Sequence, residues 1–165
     1  MRRLATISTI LSWINLVFWS YACLNMLLAS ASGGPLFLIV AFFFSAIPLH
    51  SYAAIRFHKS LRNPSLPVKK QTISGLQFMG FVVVFFGVMF LIAGFTLFQR
   101  TKEILESQQA MFPELKGTFT EKMVRMEGVI AILLSLSLIA NVILNMRLLR
   151  WYFLVHKDDN KEDNA

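Results

Sequence analysis

The chain has 165 residues, of which 56% are hydrophobic and 15% charged, with a net charge of +7 and a mean hydropathy of +0.60. Soluble domains carry about a quarter charged residues, so this balance excludes an ordinary water-soluble globule and points to a membrane protein. Cys23 is the single cysteine, which excludes an internal disulfide, a CxxC redox pair and a cysteine metal cluster.

Four apolar stretches, at residues 7–29, 36–55, 73–98 and 128–149, are long enough for a spanning helix, which needs ~20 residues. None alternates with the period of a strand. The expectation is an all-α membrane protein, a four-transmembrane-helix bundle forming one domain over residues 1–156. A disordered polar tail follows at residues 157–165. Arg2 and Arg3 precede the first stretch, and Arg147, Arg150, Lys157 and Lys161 end the chain. Arg56, Lys59, Arg62, Lys69 and Lys70 fall in the middle connection, while the connection at residues 30–35 has no charge. By the positive-inside rule, both termini and the middle connection are expected in the cytoplasm, with the protein in a plasma membrane of the bacterial inner-membrane type. The basic surplus is thus an orientation signal, and no nucleic acid is expected as a partner.

Met1-Arg2-Arg3 and Ala29-Ser30-Ala31 give the first stretch the outline of a signal peptide. Its apolar run, however, exceeds the roughly 7–15 residues typical of a signal core, so it is read as a retained span. Ser8, Ser12 and Asn15 share one face of it, and an amide in hydrocarbon turns into a bundle to find a partner. Gly33-Gly34-Pro35 then predicts a tight turn with Pro at the start of the next helix.

In the second stretch Pro48 leaves the Phe44 carbonyl without its donor and should kink the helix, with Ser45 or Ser51 near enough to relieve it. His50 is read as the ionisable residue set well inside a span. Residues 56–70 read as a basic loop broken by Pro64 and Pro67. Its five cations, Arg56, Lys59, Arg62, Lys69 and Lys70, are candidates for contact with anionic lipid.

Gly80, Gly87 and Gly94 recur every seven residues on the third stretch, beside Val83, Phe90 and Leu97 three positions on. Small residues let helices approach closely in lipid, so these glycines are the candidate helix-packing residues. The heptad continues through Ile104 and Met111, which predicts one helix running past Arg100 into water. Pro113 and Gly117 should end and reverse it, and Thr118 with Glu121 should cap the next helix. Phe119, Met123, Met126 and Ile130 are spaced to face back toward the glycines. Helices three and four are therefore expected to extend into a non-cytoplasmic helical hairpin.

The fourth stretch carries Ser137, Asn141 and Asn145 at intervals of four. The bland role for these amides is bonding to Asn15 or Asn25. The sharper one is a polar lining made by Asn15, His50, Ser137, Asn141 and Asn145. No Asp or Glu occurs before Glu103, which argues against a buried carboxylate relay or a paired-carboxylate hydrolase site. His50, His58, His156 and Cys23 lack metal-ligand spacing, so neither metal nor cofactor is expected. The favoured reading is a non-enzymatic integral membrane protein, an interaction or accessory subunit packing through the third helix and the outer hairpin with a second copy or another membrane protein. Its alternative is a small transporter or channel subunit using the polar lining.

Overall fold

A computed structural model describes residues 2–63, 68–113 and 117–155. Pro64, Pro67 and the polar tail lie outside the described residues. Among the described residues the elements are six α-helices: α1 (Arg2–Gly33), α2 (Pro35–Phe44), α3 (Ala46–Arg62), α4 (Lys70–Gln99), α5 (Thr101–Met111) and α6 (Glu121–Val155). Four helical segments are long and apolar enough to cross a membrane: Arg3–Ala31, Pro35–Arg62, Lys70–Gln99 and Glu121–Val155. That property points to a membrane-embedded protein. At 1.5 Å per residue the longest, α6 with 35 residues, is about 52 Å long, against a hydrocarbon core of about 30 Å.

Local chemistry sets the breaks. Gly34 alone joins α1 to α2 with φ 86°, a value glycine adopts without a Cβ penalty, and Pro35 opens α2. The second span divides at Ser45, three residues before Pro48, and the Ser45 hydroxyl donates to the Phe42 carbonyl at 2.5 Å rather than to that of Phe44. α3 then continues to Arg62, so Arg56, Lys59 and Arg62 sit on its last two turns and not in a loop. The stretch read as a basic connection is helical over half its length.

The third long helix is not continuous either. Arg100 leaves helical geometry (φ −115°, ψ 34°), and α5 begins afresh at Thr101. The Thr101 hydroxyl donates to the Leu97 carbonyl at 2.8 Å, with the Phe98 carbonyl at 3.1 Å. Such back-bonding offers the backbone an alternative to the helical ladder and commonly bends helices. α5 stops at Met111, ahead of Pro113, and Gly117 takes φ 93° in the reversal. The residue that opens α6 is Thr120, not Thr118: its hydroxyl accepts from the Met123 N–H at 3.3 Å.

The described residues group into two compact units. The first takes Met1–Val83 and Ala140–Ala165. Its core is Ala54, Phe57, Leu76, Leu148 and Leu149, each at most 2% exposed. α1 runs antiparallel to α2 and α3: Trp19 packs its ring 5.6 Å from that of Phe44, while Thr9 meets His58 and Arg62.

The second unit is Val84–Ile139. Here α4 and α6 pack antiparallel, Gly87 against Ser135 and Ile139, Gly94 against Gly128 and Ile132. A Cβ added at Gly94 would lie 2.9 Å from the Gly128 carbonyl oxygen and one at Gly128 would lie 3.0 Å from that of Gly94, and the Ser135 hydroxyl donates to the Gly87 carbonyl at 2.7 Å. The inward face of α6 in this unit is Val124, Gly128, Ser135 and Leu138. Met123, Met126 and Ile130, expected to face the glycines, are 38%, 54% and 49% exposed and point away. Where the two helices come closest, at Gly94 and Gly128, only small residues fit.

Candidate functional site

α1 and α6 each place two short polar side chains four residues apart, hence on one face. The antiparallel arrangement matches them pairwise. The Ser8 hydroxyl donates to Asn145 Oδ1 at 2.8 Å, and the Ser12 hydroxyl donates to Asn141 Oδ1 at 2.9 Å. Asn145 Nδ2 donates to Asn141 Oδ1 at 3.1 Å and approaches His50 Nε2 at 3.5 Å. These five side chains are at most 1% exposed, and Asn15, one turn beyond Ser12, is buried beside them. The result is a closed polar ladder tying α1, α3 and α6. Bonds of this type contribute on average about 0.6 kcal/mol each in membrane proteins, so the ladder fixes register more than it adds stability.

The glycine at position 80 belongs to the same site. A Cβ there would lie 2.9 Å from Met146 Cε and 3.3 Å from His50 Cε1. The missing side chain is what lets α4 close over the imidazole. Gly87 and Gly94 do their packing in the second unit, against α6 of the same chain. The small-residue face expected to meet a partner is therefore covered internally.

Ser137 is half-buried and falls in the second unit. Asn25 is exposed and donates to its own helix at the Tyr21 carbonyl, while Ser8 and Ser12 hold the α6 amides. Among the described residues, two atoms beside the ladder find no hydrogen-bond partner: Ser51 Oγ and Asn141 Nδ2.

Sequence reasoning passed over His58, counting it with the loop. It is 1% exposed on α3, on the stripe of Ile47, His50, Ser51, Ala54 and Phe57. Extending that i, i+3, i+4 stripe past Ile55 was the signal that would have found it. His58 Nδ1 lies 3.1 Å from Thr9 Oγ1, whose single proton goes to the Ala5 carbonyl at 2.6 Å. The hydroxyl must then accept, so Nδ1 carries the proton in that pair.

The candidate lipid-contact cations separate. Arg56 donates to the Tyr52 hydroxyl at 3.2 Å and lies 5.8 Å over its ring. Lys69 and Lys70 are exposed where α4 begins. Lys59 and Arg62 line a cleft with Thr9 and His58. Among the described residues, no three His, Cys, Asp or Glu side chains gather as metal ligands. Comparison with family models, with curated proteins and with solved structures finds no match.

Proposed function

We propose that this chain is a non-enzymatic integral membrane protein acting as an interaction or accessory subunit, with both termini in the cytoplasm and α5 and the start of α6 forming a hairpin on the opposite side. The observation that carries the reading is the apolar surface of that region. Met111, Phe112, Met123 and Met126 are 69%, 54%, 38% and 54% exposed. They stand among Glu103, Glu106, Lys122, Arg125 and Glu127, charges that favour water over the hydrocarbon core. Apolar side chains held in water favour a cover, and methionine adapts to irregular partners. Because the glycine face of α4 is already engaged by α6, the hairpin is the one of the two expected surfaces left for a partner.

Photo-crosslinking amino acids placed at Phe112 and Met126 in native membranes test it. One discrete protein adduct, a second copy or one membrane protein, is the expected product. Adducts with lipid alone would instead mean that the segment lies flat on the bilayer.

A second reading, a small transporter or channel subunit, is favoured by Ser51 Oγ and Asn141 Nδ2, since buried polar groups without a protein partner commonly hold water. It requires solute or ion flux in proteoliposomes that falls on Asn141→Leu. Flux equal to that of empty liposomes removes it.

A further inference from the structure

Where α1 meets the last two turns of α3, the first unit has an open cleft of ≈ 280 Å³. Thr9, Trp13, His58, Lys59, Arg62 and Asn63 line it. Its chemistry is one-sided. Arg62 spends one guanidinium N–H on a neutral acceptor, Thr9 Oγ1 at 3.3 Å, and Lys59 is exposed. Thr9 is fixed as that acceptor because its own proton is committed to Ala5 and the His58 ring occupies a further side of the oxygen. The guanidinium is thus held toward α1 with further donors unspent.

No carboxylate balances these cations within the described part of the unit. The sequence has no Asp or Glu before Glu103 and none between Ala140 and Val155. Among the described residues the ion pairs are Arg100–Glu103 and Arg125–Glu121, both involving residues of the second unit. The negative end of the α3 dipole offsets only part of a unit charge, against two cations in its last turn. Arg62 is also the last residue of the candidate span Pro35–Arg62, the depth at which headgroup phosphates lie and at which cations and Trp rings settle. The Trp13 ring, 50% exposed, supplies the apolar wall.

We propose that this cleft binds a phosphate group, with Lys59 and Arg62 as its charge partners and Trp13 packing against the carbon skeleton beyond it. A volume of ≈ 280 Å³ falls just below the range usual for small-molecule sites and suits a headgroup rather than a whole lipid. Arg56, on the same helix but bound to Tyr52, is outside the site. The inference does not depend on the hairpin's role.

Native mass spectrometry of the purified full chain tests it, with phosphatidylglycerol, phosphatidylcholine and inorganic phosphate added in separate titrations. Phosphatidylglycerol should bind more tightly than phosphatidylcholine, whose choline cation opposes Lys59. The double variant Lys59→Gln/Arg62→Gln should weaken phosphatidylglycerol binding about tenfold, as expected for lost charge-assisted hydrogen bonds. Arg56→Gln should leave it unchanged. Should the double variant fail to fold, Lys59→Gln alone, at an exposed position, should weaken binding about threefold. Displacement of the lipid by millimolar inorganic phosphate would assign the site to free phosphate, and no displacement to the lipid headgroup. Binding of both that is indifferent to Lys59 and Arg62, or lost equally on Arg56→Gln, would overturn the proposal.

Discussion

At Gly94 an added Cβ would lie 2.6 Å from Ile132 Cγ1 and 2.9 Å from the Gly128 carbonyl oxygen, whereas at Gly75 it would meet nothing within 4 Å. Both residues are interior to α4, so propensity alone treats them alike and favours Ala by about 0.5–1 kcal/mol. Packing separates them. The Gly128 oxygen is backbone and cannot step aside as a side chain tip would, so overpacking at Gly94 should cost about 1–3 kcal/mol. Thermal melting in mild detergent should therefore fall for Gly94→Ala and hold or rise slightly for Gly75→Ala. Equal behaviour would mean that α6 does not press on Gly94.

The elements were legible in outline because four long apolar runs can hardly be anything but helices. Their ends and breaks were not. The heptad from Gly80 to Met111 crosses Arg100 without a fault, since periodicity records which face a residue takes and not whether the backbone between two turns stays helical. The break is signalled only by Thr101, whose hydroxyl competes for the Leu97 and Phe98 carbonyls. Thr101→Val should remove that competition and leave the carbonyls short of a donor, at a cost of about 0.5–1.5 kcal/mol. Faster amide hydrogen exchange in α5, with the middle of α4 unchanged, is the expected readout. Exchange unchanged in both would mean that the hydroxyl has no part in the break. The Met123, Met126 and Ile130 stripe misled for a different reason. The side facing α4 is instead set by close backbone approach at Gly94 and Gly128 and by the Ser135–Gly87 hydrogen bond, with Val124 and Leu138 filling the rest of that face.

The candidate site followed the same division at the scale of the whole molecule. Asn141, Asn145 and His50 stood out because amides and imidazoles are rare in hydrocarbon, yet their partners are ordinary serines whose role depends on the pairing of α1 with α6. His58 escaped because a polar helix end reads as a loop until the helix boundary is known. What organises these pieces is the small-residue face of α4, which holds α6 of the same chain. Gly87→Leu tests this most directly, since even a Cβ at Gly87 would lie 2.7 Å from Ile139 Cγ1. Melting temperature and oligomeric state should be measured on the same purified sample. The account predicts a lowered melting temperature with the oligomeric state of the folded fraction unchanged; loss of association with melting unaltered would contradict it.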